Sequence, residues 1–375
     1  MANKNAIIIG AGIAGLAMAR ALSLRGFHVK VFERGYGARG ASIRNFGMIW
    51  PIGQPDGVLY ERALSSRSIW KEISAAGAFS TEEAGSLHLA YDELEWKVLQ
   101  ELYESFKVNR PVQLLSAADV QMKTDAVVMN GLKGALYSAD ELIVDPREAI
   151  ANLPAYLEEK YQIEFYWGKC VSYISEQTIY IGNEEAFEAD IIFICNGADF
   201  ETLYPEFFAE HPITKCKLQM MRLAAQPMDW RIGPALCGGL SLIHYNSFKV
   251  ASSLHELKAK YEMEMSEYLD WGIHVMVSQN AKGELIIGDS HEYALTHDPF
   301  DKTFINQMIL DYLKRFAQFK DWKVIETWHG IYPKLTNGDT ELFFSPEQGV
   351  YVLNGLGGAG MTLSFGLAEE LTQSL

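Results

Sequence analysis

Positive charge is scarce in this chain: 32 Lys and Arg stand against 48 Asp and Glu, a formal net charge of −16 over 375 residues. Binding along a nucleic-acid backbone rests on clustered cations that neutralise phosphates, so no nucleic-acid partner is expected. A few local cations can still dominate one pocket and hold a small anion. Cysteine is sparse too. Cys170, Cys195, Cys216 and Cys237 form no CxxC pair and no close cluster with histidine, which points to small buried hydrophobes rather than a metal centre. No run approaches the roughly 18 consecutive apolar residues of a membrane span, and the N-terminus lacks the basic lead and cleavage site of a secretory signal. A cytoplasmic setting is expected. Internal repeats and low-complexity tracts are also missing. With 49% hydrophobic and 21% charged residues the chain is globular, and its length predicts about two domains.

What is present starts near the N-terminus. Ala6-Ile7-Ile8-Ile9 reads as a buried parallel strand that runs straight into Gly10-Ala11-Gly12-Ile13-Ala14-Gly15. Gly10 permits a tight turn, Gly12 lets backbone N–H groups approach a pyrophosphate, and Gly15 lets the following helix pack closely on the strand. The diphosphate is then held by a helix N-terminus, where N–H groups and the helix dipole favour an anion without any cationic side chain. Val29 to Glu33 supplies a second strand ending in an acid, where a carboxylate binds ribose hydroxyls and repels a 2′-phosphate. A glycine turn alone is weak, because such turns also arise where a strand simply meets a helix. The complete strand–turn–helix–strand–acid context points to a dinucleotide cofactor.

Further along, Tyr60 to Ala76 and Glu93 to Phe106 carry apolar residues at helical spacing, and Ser86 to Ala90, Ala135 to Ser138 and Glu141 to Val144 read as short strands. Asp145-Pro146-Arg147 opens a helix to about Tyr161, with Asp as N-cap and Pro in the first turn. Ile163 to Tyr166, Cys170 to Ile174 and the apolar run Ala189 to Cys195 follow as strands, the last stopping at Asn196-Gly197. From Pro212 to Trp328 the pattern suggests an antiparallel sheet, with strands at Met220 to Leu223, Leu240 to Tyr245, Gly272 to Gln279 and Leu285 to Asp289. Helices over Leu254 to Trp271 and Asp301 to Phe319 would cover it. Gly349 to Gly355 is a final strand, and a closing helix spans Leu363 to Leu371. The expected fold is α/β, a Rossmann-like cofactor domain (1–45, 145–211, 329–375) interleaved with an antiparallel-sheet α+β substrate domain (46–144, 212–328).

Between that strand and helix, Gly355-Leu356-Gly357-Gly358-Ala359-Gly360 places four glycines within six residues. One or two would serve a plain corner, so this density favours backbone contact with a ligand. Strand–glycine–helix junctions at both ends of the chain suit an elongated flavin dinucleotide gripped at its adenosine end and its far end. A helix N-terminus can stabilise the flavin N1–C2=O edge in its reduced anionic form.

In these motifs, together with Gly40-Ala41-Ser42-Ile43-Arg44-Asn45, the chain resembles the D-amino acid oxidase, glycine oxidase and sarcosine oxidase-like flavoenzymes over nearly its full length. The resemblance implies FAD, with Gly10, Ala11, Gly12, Ile13, Ala14 and Gly15 at the pyrophosphate and Glu33 and Arg34 beside the adenosine ribose. Val171 would lie near adenine, with Asn196 and Gly197 near the pyrophosphate. Ser42, Ile43, Arg44, Asn45 and Gly330 would border the flavin ring, as would Gly355, Gly357, Gly358, Ala359, Gly360, Met361 and Thr362. Within the family, Gly40 to Pro51 and Gly288 to Tyr293 are similar to a clade associated with aminophosphonate breakdown. Sarcosine oxidase-like relatives attach flavin through a cysteine before the final strand; Ile331 to Asn337 has none, so non-covalent FAD is expected. Relatives also place a carboxylate-binding lysine after the last turn, where this chain has Thr362, so the substrate anion must be bound elsewhere.

For that anion the candidates are Arg44, His244 and Lys334, with Tyr245 or His274 positioning the amine. Each has a plainer reading. Arg44 serves cofactor as readily as substrate, His244 can be a satisfied core histidine, and Lys334 faces solvent unless its loop folds over the flavin. Trp328-His329-Gly330 can be core and turn. Asp289-Ser290-His291-Glu292 looks like a ligand set, but reads as a solvated loop. The expected activity is oxidative deamination of a small zwitterionic amine, an aminophosphonate among the possibilities, with oxygen or another acceptor reoxidising the flavin. Alternatives are a D-amino acid or glycine/sarcosine-type oxidase, a non-catalytic FAD-binding subunit, and an NAD-linked dehydrogenase, which leaves the second glycine turn unexplained.

Overall fold

The computed structural model describes residues 4–183, 185–373 and 375. Its first layer is a six-stranded sheet in the order Leu342–Glu347, Val350–Asn354, Ile191–Ile194, Asn5–Ile9, His28–Glu33, Glu164–Trp167. All neighbours run parallel except the outer hairpin of Leu342–Glu347 with Val350–Asn354. The strands are nearly continuous apolar runs because both faces are covered. Ile8, Val31 and Phe193 pack into one core with helices Ile13–Leu24, Pro146–Tyr161 and Gly360–Leu371, while their neighbours Ile7, Phe32, Ile192 and Ile194 pack into another. That second core lies under a small antiparallel sheet of Tyr173–Ser175, Thr178–Ile181 and Glu185–Glu188.

A nine-stranded sheet forms the other layer. Its path runs Glu292–Ala294, Ile213–Leu223, Leu285–Gly288, Met276–Gln279, Ala235–Cys237, Ser86–Ala90, Gly134–Ser138, Val112–Ser116, and Val324–Leu335 pairs with Ile213–Leu223. Pairing is antiparallel except between Ala235–Cys237 and Ser86–Ala90. Helix Glu93–Phe106, started by an Asp92/Glu95 capping box, packs Val98, Leu99, Leu102 and Phe106 into the large core beneath this sheet. Among the described residues, no helix is long and apolar enough to cross a membrane.

Two expectations need correction. Leu240 to Tyr245 is not a strand: Gly239–Ile243 is a short 3₁₀ helix ending at His244. A side chain at Gly239 would stand 2.2 Å from the Glu95 carboxylate, so the backbone hugs helix Glu93–Phe106 where a strand would have to stand clear. The helix expected over Leu254 to Trp271 breaks at Met265 into Leu254–Glu264 and Ser266–Asp270.

Helix Val58–Ala75 crosses helix Gly360–Leu371 at a glycine. A Cβ on Gly366 would lie 2.4 Å from the Arg62 carbonyl oxygen, and the Gly366 N–H donates to Ser66 Oγ at 2.8 Å. Gly366→Ala is expected to lower stability by about 1–3 kcal/mol in urea unfolding, because overpacking exceeds the roughly 1 kcal/mol by which alanine favours a helix. An unchanged or raised stability would show that the two helices part freely.

Candidate active site

The N-terminal glycine turn is fixed by contact with its neighbours. Gly10 has φ +105°, and a Cβ there would stand 2.4 Å from the Cys195 carbonyl; at Gly15 it would stand 1.9 Å from the Gly10 carbonyl. Glu33 clamps the turn: one carboxylate oxygen accepts from Ala11 N–H at 3.0 Å and the other from Gly35 N–H at 2.9 Å. Each oxygen keeps a lone pair for a further donor such as a ribose hydroxyl. Ser42 Oγ accepts from Ile13 N–H at 3.0 Å, which ties the loop containing Ile43, Arg44 and Asn45 to the first helix. Arg34 is half turned to solvent and pairs with Asp199 at 2.6 Å. Asn354 donates to Asn196 Oδ1 and to the Gly197 carbonyl at 2.8 and 2.9 Å, so the ends of the central and last strands are bonded together.

The second turn lies beside the first. Gly355 and Gly357 take φ +74° and +57°, and Gly360 opens the last helix with only 3.6 Å between its would-be Cβ and Ile13. A cleft of about 700 Å³ is lined by Gly10, Gly12, Ala14, Glu33, Val171 and Asn196 at one end and by Gly355, Gly357 and Gly360 at the other. It adjoins a second cleft of about 280 Å³, with Ile13, Ser42, Arg44, Gly357 and Gly360 lining both. Gly358, Ala359, Met361 and Thr362 line the second cleft. Thr362 is buried, and its hydroxyl accepts from Trp50 N–H at 2.9 Å, so it has no charge and a structural bond of its own. Asn45 shapes its loop, donating to the Ala41 and Ser42 carbonyls and accepting from Gly47 N–H. A Cβ on Gly330 would lie 2.9 Å from the Arg44 carbonyl oxygen, and the Arg44 guanidinium donates to the His329 carbonyl at 3.2 Å.

The far wall of the second cleft is polar. His274, next to strand Met276–Gln279, exchanges backbone hydrogen bonds with Asp289, next to strand Leu285–Gly288. His244, His274 and His291 come together there, with ring centroids 3.7 Å (244–274), 5.1 Å (274–291) and 5.0 Å (244–291) apart. His291 Nδ1 bonds the Gly272 carbonyl at 2.9 Å. Asp289 Oδ1 sits 3.2 Å from His274 Nε2, near but misaligned for a hydrogen bond, and Oδ2 sits 3.8 Å from His291 Nε2. Tyr245 stands edge-on to His244. Lys334 lies on strand Val324–Leu335, not in a loop, and its side chain passes 3.3 Å from where a Gly357 Cβ would be, at the junction of turn and histidines. His329 stands apart from both clefts, paired with Asp301 at 2.8 Å.

Burial sets the protonation of this wall. It holds His274 well below the ordinary histidine value, aided by His244 and His291, and lowers His291 to about 4 despite the Gly272 bond. His244 opens one edge to the cleft yet is walled by protein, and burial with nearby His291 and Lys334 lowers it too. Burial pushes the Asp289 carboxyl well up. At neutral pH the three imidazoles are uncharged, and burial disfavours the ionised form of Asp289. The segment Asp289 to Glu292, expected to be solvated, is therefore largely interior: Asp289, Ser290 and His291 are 4%, 0% and 7% exposed. The cause is pairing at a distance, Asp289 with His274 and Ser290 Oγ with Gln219 N–H. His291 and Asp289 went unassigned because nothing local marks that pairing; the signal on hand was their place directly after the apolar run Leu285 to Ile287.

The glycine cradle at one end, the acid clamp and the second glycine turn at the other fit FAD. The chain matches the family described as DAO, FAD dependent oxidoreductase, over residues 5–374. It belongs to that family. In fold this DAO-family protein is similar to glycine oxidase from Geobacillus kaustophilus, with a TM-score of 0.76 at 20% identity, covering 100% of this chain and 95% of that one. It is similar to L-proline dehydrogenase from P. horikoshii (TM-score 0.76, 19% identity, 99% and 94% covered) and to FAD-bound L-alpha-glycerophosphate oxidase from Mycoplasma pneumoniae (0.74, 16%, 99% and 94%). A curated relative, the tRNA 5-methylaminomethyl-2-thiouridine biosynthesis bifunctional protein MnmC of Pseudomonas aeruginosa, is 27% identical over 244 residues. That match covers 62% of this chain, which spans only 35% of the length of the relative.

Removing the clamp tests the cradle. Glu33→Ala should weaken FAD retention about tenfold or more, since each charge-assisted hydrogen bond contributes about 1.5–3 kcal/mol. The flavin-to-protein absorbance ratio after dialysis reads this, and full retention would show that the turn holds its shape unaided.

Proposed function

We propose that this FAD-dependent oxidoreductase oxidises the C–N bond of a small zwitterionic amine, an aminophosphonate such as 2-aminoethylphosphonate. Segments 1–45, 145–211 and 329–375 would hold the cofactor, and 46–144 with 212–328 the substrate. The observation that carries the reading is the lining of the second cleft, which holds the cations Lys334 and Arg44 together with the neutral polar groups His244, His274 and Tyr245. FAD, when bound, would supply the acceptor for the substrate hydride, which carries both electrons, and the imine left after loss of a proton is hydrolysed by water to an aldehyde and ammonia.

The protein supplies binding and orientation. Gly10 to Gly15 and Glu33 would fix the adenosine end, and Gly355 to Thr362 the ring end, without a covalent link. Lys334 would draw the anionic end of the substrate, with Arg44 held in place by the His329 carbonyl. Burial disfavours an ionised Asp289, which weakens it as a partner for an ammonium and so favours the free amine, the form able to give up a hydride. Uncharged Thr362 leaves no cation after the last turn for an α-carboxylate. The glycine oxidase fold match favours a second reading, an oxidase of glycine or D-amino acids.

Anaerobic addition of 2-aminoethylphosphonate to the yellow holoprotein should bleach it faster than glycine or D-alanine, and air should restore the colour with release of ammonia. Preference for the carboxylates would support the second reading, and a flavin that no amine bleaches would make this a non-catalytic FAD-binding subunit. Lys334→Met should raise KM about tenfold or more, the loss expected for one charged hydrogen bond, with a smaller change in kcat.

A further inference from the structure

Three imidazoles and a carboxyl group meet in the second cleft with their hydrogen bonding unfinished. His274 is 4% exposed and neither of its ring nitrogens has a partner; Asp289, also 4% exposed, has an unpartnered Oδ1. Buried polar atoms left this way cost stability unless a ligand completes them. A nitrogen from each of the three histidines falls within 4.8 Å of the others. A metal cage is the first thought, but the rings lie within 37° of parallel. Zinc needs in-plane lone pairs aimed at one point, which rings with centroids 3.7 Å apart and planes only 34° from parallel, as in His244 and His274, disfavour. The Lys334 ammonium beside His244 and His291 also repels a cation.

A ligand with several oxygens side by side suits such a set. We propose that His244, His274 and His291, with Lys334 at their rim, seat a tetrahedral oxyanion headgroup, and that the cluster takes up protons from solvent as the headgroup enters. The inference rests on the amine-oxidation reading for its substrate and extends it to the phosphonate end.

The tautomer of His291 calls for proton uptake. His291 Nδ1 faces the Gly272 carbonyl and so carries its hydrogen there, which leaves Nε2 a bare acceptor in the neutral ring. Nε2 can donate to an anion only after protonation. His274 and His244, while neutral, each carry one N–H able to donate at once and one bare nitrogen that donates only after protonation. Buried neutral imidazoles accept a proton readily once a dianion stands beside them, since an opposite charge within a few ångströms favours the charged form. The other groups facing the cluster do not compete: burial holds the Tyr245, Tyr293 and Tyr332 hydroxyls protonated and pushes the Cys216 thiol up to about 12. The sign follows. The empty site holds its histidines below their ordinary value and the filled site raises them, so affinity grows as pH falls, by about tenfold per pH unit for each proton taken up.

Sulfate is a suitable probe, because it stays a dianion throughout the neutral range and is not oxidised. It should be titrated calorimetrically into FAD-loaded protein in several buffers of different ionisation heat. Binding whose enthalpy tracks the buffer heat in the sense of proton uptake, and which 2-aminoethylphosphonate displaces, is expected. His244→Asn, at the open edge of the cluster, and His291→Asn should each reduce the uptake, with retained flavin colour reporting that the variants fold. No binding of sulfate, or binding with the same enthalpy in every buffer, overturns the proposal. If no amine bleaches the flavin while sulfate still binds with proton uptake, the amine-oxidation reading fails and the oxyanion seat stands.

Discussion

Everything in this protein depends on how closely two backbone turns approach each other. The Gly10 to Gly15 turn leaves no room for a side chain against Cys195 or within its own corner, and the Gly355 to Gly360 turn reaches the first helix at Ile13. Asn354 bonds the strand ends that carry them, and Glu33 and Ser42 occupy specific amides of the first turn. The outcome is a continuous path from an anion-binding helix start to a second helix start, built from main chain and therefore compatible with a chain of net charge −16. Charge is then free to be placed sparingly, at Arg44 and Lys334 near the far end.

The opposite wall follows another logic. The nine-stranded sheet brings His274, Asp289 and His291 together by strand pairing and buries them, with the more exposed His244 at their open edge. Such a set is costly as a structural element, because unpaired buried polar atoms lose water without gaining a partner. Its placement where the second glycine turn, Lys334 and Arg44 meet gives the cost a purpose under the proposed reading, in which an incoming anion would supply the missing partners.

The sequence was most readable where structure is decided locally. The apolar run before Gly10, the Asp145-Pro146 helix start, with its side chain accepting from Arg147 and Glu148 N–H, and helix Glu93–Phe106 all follow from neighbours a few residues away. Where long-range contact decides, reading failed. Asp289 and His291 are interior because of His274, Gln219 and Gly272; Gly239 turns away from a strand because of Glu95. Strand Val324–Leu335 begins with four exposed residues and shows no apolar alternation there, yet pairs along the whole of Ile213–Leu223. It carries Lys334 to the cleft, a placement that no local pattern announces.

The central claim is that a single FAD molecule spans both turns and turns its ring toward the histidine wall. A crystal structure of the FAD-loaded protein tests this most directly. The account predicts density for the pyrophosphate at Gly10 to Gly15 and for the isoalloxazine ring between Gly357 to Thr362 and the wall of His244 and Lys334. Density with the ring outside the second cleft, or with the two turns contacting separate molecules, would contradict it.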